Sequence, residues 1–110
     1  MQSMLHTEGH TERLASVIEA WGEMCWLMED QLVPEAGLSI ARMTINGDQT
    51  SPSHLHSNCN ETIVLLSGVA TCLMGGTPYR LNVGDVVFVP LGVAHAMRND
   101  SAEVAIALLS

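Results

Sequence analysis

Two histidines and a carboxylate in the stretch from Gly47 to Gly68, GDQTSPSHLHSNCNETIVLLSG, have the types and spacing needed to grip one metal ion. His54 and His56 are two residues apart, so on an extended backbone both imidazoles project to one face and Leu55 to the other. Glu61 follows a short polar loop and opens the apolar run Thr62 to Leu66, which reads as a strand. Imidazole nitrogens with a carboxylate oxygen suit Fe, Mn, Ni, Co or Zn better than Ca or Mg. Further on, GDVVFVPLGVAHAMRN, Gly84 to Asn99, places His95 just beyond the turn Pro90-Leu91-Gly92, at the start of another strand. A lone histidine is more often structural or solvated than ligating. His-x-His, a glutamate five residues on and a further histidine after a rigid turn together favour one divalent transition metal on His54, His56, Glu61 and His95. Glu61 has a second reading, as a group that hydrogen-bonds a ligating histidine rather than coordinating.

Positioning such a set requires neighbouring strands, and the chain supplies them. Trp21 to Met28 is β-prone, and Pro34 lies in the turn that ends it; Leu38 to Ile45 alternates, and Asn46-Gly47 tolerates positive φ, which predicts a tight turn. Val69 to Met74, the Gly75-Gly76 turn and Tyr79 to Leu81 read as a hairpin, Val86 to Val89 as a buried strand, and Glu103 to Leu109 as the last strand. Residues 1–20 read as an N-terminal arm; within it, TERLASVIEAW from Thr11 fits a short helix or an extended segment almost equally, and His6 and His10 read as solvated tail residues. Many short strands between Gly and Pro turns predict an all-β sandwich or barrel.

The spacing of both stretches resembles the cupin superfamily. The second motif of that family is matched at every fixed position from Gly84 through Pro90, Gly92 and His95 to Asn99, and the first by Gly47, His54, His56, Glu61 and Gly68. One departure is that six residues rather than five separate Gly47 from His54. The resemblance covers about half the chain, Gly47 to Asn99. It implies a small jelly-roll β-barrel over residues 21–110, a single-domain cupin, with His54, His56, Glu61 and His95 binding one divalent metal inside it.

At 110 residues the chain has room for one domain. It lacks an apolar run that would span a bilayer and a basic segment typical of secretion, and its three cysteines are widely spaced, so a cytoplasmic protein with reduced thiols is expected. A net charge of −8 with no lysine opposes nucleic-acid binding. The uninterrupted apolar runs Ile63 to Leu66, Val86 to Val89 and Val104 to Leu109 leave no wet face and call for a covering layer, most simply a homodimer. Trp21 and Trp26 have opposite parity on one strand, so one of them is expected at such a contact.

Four protein ligands leave one or two positions on a six-coordinate metal for substrate oxygens, water or dioxygen. The expected function is therefore a metal-dependent enzyme on a small organic molecule, with an Fe(II)-type dioxygenase favoured and Glu61 able to act as base. Retention of Glu61 argues against thiol dioxygenases, which resemble this pattern without the carboxylate, and a single ligand set argues against two-domain decarboxylases. The alternatives are a non-redox lyase, isomerase or cyclase, and a non-catalytic ligand-binding module. Candidate substrate contacts are Arg42, for a substrate carboxylate, Met97, which shares the parity of His95, and Cys59, in the loop between His56 and Glu61.

Overall fold

A computed structural model describes residues 16–28, 39–57 and 59–110. Its elements are β1 (Ser16–Glu19), β2 (Gly22–Met28), β3 (Ile40–Ile45), β4 (Glu61–Ser67), β5 (Ala70–Met74), β6 (Thr77–Leu81), β7 (Val86–Val89), β8 (His95–Arg98) and β9 (Ala105–Leu109). Among the described residues there is no helix, and hence none long and apolar enough to cross a membrane. The strands form a six-stranded sheet in the order β1-β2-β3-β9-β4-β7 and a three-stranded sheet in the order β6-β5-β8. All pairs are antiparallel. This is the all-β, jelly-roll architecture expected.

Strict alternation seals the core. On β3 the buried residues are Ala41, Met43 and Ile45, on β4 Ile63 and Leu65, on β7 Val87 and Val89, and on β9 Ala105, Ala107 and Leu109. The small sheet contributes Ala70, Cys72, Leu81 and Met97 to the same cluster. Alternation by two then explains Glu61, which shares the inward face with Ile63 and Leu65 but stands first on β4, at the open end of the barrel.

The segment Gln49 to His54 runs along the free edge of β8. Asn99 N–H donates to Gln49 O at 2.9 Å, Ser51 N–H to Met97 O at 2.9 Å, and His54 and His95 exchange both backbone bonds at 3.0 and 2.9 Å. The bridges Thr50↔Arg98 and His54↔His95 put four steps of this segment against three of β8, so a bulge around Pro52 absorbs the residue in excess between Gly47 and His54.

One local expectation is corrected and one open alternative is resolved. The positive φ in the turn after β3 belongs to Asp48, at 59°, while Gly47 is required for another reason: a Cβ there would lie 2.4 Å from Ala102 O. Of the two readings of TERLASVIEAW, the extended one is realised at Ser16–Glu19, which pairs with β2, and residues 11–15 with His6 and His10 lie outside the described residues.

Candidate metal centre and its cavity

The double hydrogen bond between His54 and His95 makes them directly opposed on an antiparallel pair, so their side chains share a face, and their ring centroids are 4.4 Å apart. His56 brings a third ring 5.1 Å from that of His54 and 5.7 Å from that of His95. Glu61 enters from the opposite sheet, with Oε1 2.7 Å from His95 Nε2 and Oε2 3.6 Å from His56 Nε2. One ligand atom from each of the four residues lies within 4.8 Å of all the others.

The hydrogen bonds around the rings test whether a metal fits. His95 Nδ1 lies 3.0 Å from Val93 O and His54 Nδ1 lies 3.3 Å from Pro52 O, contacts that need a proton on Nδ1. In the neutral ring that leaves a bare lone pair on Nε2. For His95 this lone pair faces a carboxylate oxygen at 2.7 Å, and only a cation, proton or metal, makes that approach favourable. His56 Nε2 is buried without a hydrogen-bond partner, in a place where an unsatisfied nitrogen is costly. Three imidazoles and a carboxylate with one orphan nitrogen fit a divalent transition metal.

The second motif holds the loop that carries the first. Gly92 N–H donates to His56 O at 2.6 Å and Leu91 N–H to Asn60 Oδ1 at 2.9 Å. Gly92 adopts a φ of 78°, which explains glycine in the Pro90-Leu91-Gly92 turn. Asn99 closes the other end of β8. It is fully buried, its Nδ2 donates to Ile45 O at 3.0 Å and Glu103 O at 2.7 Å, and its Oδ1 accepts from Ser101 N–H and Oγ–H.

A cavity of about 320 Å³ opens beside the centre. Its walls are Trp21, Met24, Trp26, Met43, Pro52 and Leu109, with Ser51 and three members of the cluster, His54, His56 and Glu61. Both tryptophans face it, contrary to the expectation from parity, because Trp21 stands in the β1–β2 turn and not on the strand. Met24 and Met43 are paired across β2 and β3 and were not singled out by the sequence; the signal is their shared parity with Trp26 and Ala41.

The three candidate substrate contacts fare differently. Arg42 alternates with Ala41 and Met43, which face inward, so it lies on the opposite face of β3, away from the cavity. Met97 does share the inward parity of His95, yet at 1% exposure it is packed into the core beneath the centre rather than lining the cavity. Cys59 is exposed and borders a smaller cavity of about 190 Å³ that also touches His56 and Glu61. Burial first, and then the negative charge of Glu61, push the Cys72 thiol up to about 11, so it remains protonated near the centre. Arg98 turns away and pairs with Asp100 at 2.8 Å.

The cupin domain model matches residues 41–110. No curated protein sequence shows significant similarity to the chain. Among solved structures, Lactobacillus farciminis oxalate decarboxylase in its formate complex is 20% identical with a TM-score of 0.78, over 87% of this chain and 30% of that one. A mutant of Bacillus subtilis oxalate decarboxylase is 19% identical with a TM-score of 0.79, over 87% and 27%. A protein from Thermotoga maritima described as a predicted oxalate decarboxylase is 23% identical with a TM-score of 0.71, over 90% of this chain and 88% of that one. This chain therefore spans less than a third of the first two proteins, and the likeness to all three is one of fold.

Proposed function

The chain belongs to the cupin domain family, and on that premise we propose that it is a metal-dependent enzyme acting on a small organic molecule, of the Fe(II) dioxygenase type. The observation that carries this reading is the convergence of His54, His56, Glu61 and His95 at the side of an apolar cavity. When bound, iron would supply Lewis acidity and an electron source for dioxygen. The chain's own residues do the rest. Peptide carbonyls of Pro52 and Val93 fix the His54 and His95 rings. Indole and thioether walls set an apolar surface beside the reacting groups, which strengthens electrostatic interactions there. Glu61, 12% exposed and in contact with both the ligand cluster and the cavity, is the group that takes or returns a proton at Oε1 or Oε2.

A non-redox reading is favoured by one observation, the 2.7 Å contact that lets Glu61 Oε1 share a proton with His95 Nε2. Bacillus subtilis oxalate decarboxylase, which shares the fold, has Mn(II) centres. Turnover and oxygen consumption of Fe(II)- and Mn(II)-loaded protein, with and without dioxygen, separate the two. Dioxygenase chemistry predicts stoichiometric oxygen uptake, and turnover unchanged under strict anaerobiosis would refute it. Elemental analysis of protein purified without chelators tests the common premise: the parent should hold one metal per chain and His54→Ala and His95→Ala should lose it.

A homodimer is part of the proposal. On the outer face of the six-stranded sheet Val86 and Phe88 are 62% and 53% exposed, Val64 pairs with Val86 and Leu108, and Leu66 is 47% exposed. A contiguous apolar strip of this kind suits isologous burial against a second copy.

A further inference from the structure

We infer that the cavity takes a small apolar molecule, aromatic or branched, carrying at most one negative charge, and that it discriminates against short dicarboxylates such as oxalate. This inference rests on the reading of the four-residue cluster as a metal centre. A divalent ion beside ionised Glu61 leaves one net positive charge at the centre. One anionic group of a substrate balances it, and a second, whether it takes another open position on the metal or lies along the cavity, adds a negative charge with no cation to neutralise it. The rest of the lining is Trp21, Met24, Trp26, Met43, Pro52 and Leu109 with Ser51, none of which carries a positive charge; the indole N–H groups and the Ser51 hydroxyl are neutral donors. A carboxylate with no cationic partner there loses hydration that neutral donors replace only in part.

Of the arginines, Arg42 lies on the opposite face of its strand, Arg98 is held by Asp100, and Arg80 is exposed on β6, while Arg13 lies outside the described residues. The chain has no lysine. Among the described residues, therefore, no cation lines the cavity. The net charge of −8 adds a general repulsion of dianions.

The walls also favour one kind of molecule. Indoles offer flat faces for an aromatic ring, and the Met24–Met43 pair offers polarisable, adaptable surface. Ala41, opposite Trp26 in the β2–β3 register, keeps bulk away from that indole. A volume of about 320 Å³ lies at the small end of ligand pockets.

Both tryptophans of the chain border the cavity, so their fluorescence reports its occupancy without reference to activity. The test titrates 3-phenylpropionate, benzyl alcohol and oxalate into the full-length protein, metal-free and in excess Mn(II), with bound metal measured by elemental analysis. Both apolar probes should give a saturable emission change, with oxalate at least about tenfold weaker. Met43→Arg, or Met24→Arg should the first variant not fold, places a guanidinium at the wall and should raise oxalate affinity about tenfold or more while weakening benzyl alcohol. Oxalate binding to the metal-loaded parent as tightly as 3-phenylpropionate overturns the inference, and so does the absence of any response to both apolar probes. Protein that binds the apolar probes but no metal supports the apolar specificity while sinking the metal-centre reading, which separates the two failures.

Discussion

Replacing Asn99 by alanine should cost this domain a large share of its stability, for reasons that do not involve the metal. The Asn99 side chain is completely buried and uses both donors and its acceptor: Nδ2 reaches the carbonyls of Ile45 and Glu103, and Oδ1 accepts from Ser101 twice. Alanine removes Nδ2, the donor to two carbonyls, and leaves space behind. Each buried polar group so stranded costs about 1–3 kcal/mol, which puts the expected loss at about 3–5 kcal/mol. Whole domains are stable by about 5–15 kcal/mol, so the variant should sit near the edge of folding. Asn99→Asp sharpens the test, since it keeps the acceptor for Ser101 and turns a second oxygen toward the two carbonyls; it should be at least as damaging. Urea unfolding of metal-free protein, followed by tryptophan fluorescence and circular dichroism, gives both values from the midpoint and slope. A loss below about 1 kcal/mol for alanine, or full tolerance of aspartate, would refute the view that this residue ties β3 and the turn after β8 together.

Gly92→Ala meets nothing within 4 Å of its new Cβ, so its cost is the left-handed φ of 78°, about 1–2 kcal/mol, seen as a thermal midpoint several degrees lower with reduced metal retention. Of the three cysteines only Cys59 is exposed, so one thiol should react rapidly with Ellman's reagent at pH 8 in folded protein and all three after unfolding. Because the Cys72 thiol is raised from 9.0 to about 11, the unfolded chain ionises first; stability from its burial is complete below pH 9 and falls as pH rises through 11, so denaturant midpoints should drop across that window and Cys72→Ala should flatten the drop. Phe88→Arg, at a site 53% exposed, should leave monomer stability within about 0.5 kcal/mol and convert a dimer to a monomer by sedimentation velocity; a monomeric parent at tens of micromolar would rule the dimer out.

Legibility in the sequence followed the range of the interactions. Strand positions were readable because alternation and turn residues are local: all of β3 to β9 fall within or overlap the segments expected from sequence. The cluster of His54, His56, Glu61 and His95 was readable because the turns that fix these residues, Pro90-Leu91-Gly92 above all, stand beside them in the chain. The outward position of Arg42 is not legible in the sequence, because which face of β3 turns inward is set by its packing and pairing with β2 and β9. The tryptophans share the cavity for a related reason: strand parity does not extend to Trp21, which belongs to a turn. Asn99 was visible as a motif position, but its work is done by contacts to Ile45 and Glu103 that no spacing reveals.

The centre is built across both sheets, and this links its chemistry to the mechanics of the barrel. His95 belongs to the small sheet and its pairing edge carries His54, whereas Glu61 begins β4 in the large sheet. The closest polar contact between these halves of the site is the 2.7 Å approach of His95 Nε2 to Glu61 Oε1. An ion held there joins the two sheets at the open end, where the apolar core stops and Glu61 replaces the next aliphatic residue of the β4 pattern. The same position borders the cavity wall contributed by β2 and β3. The geometry of the cluster is therefore fixed by one short ladder and one turn, while the shape of the chamber depends on the β2–β3 register, so side chains such as Met24 and Met43 can change what the chamber accepts without moving the four residues able to hold a metal.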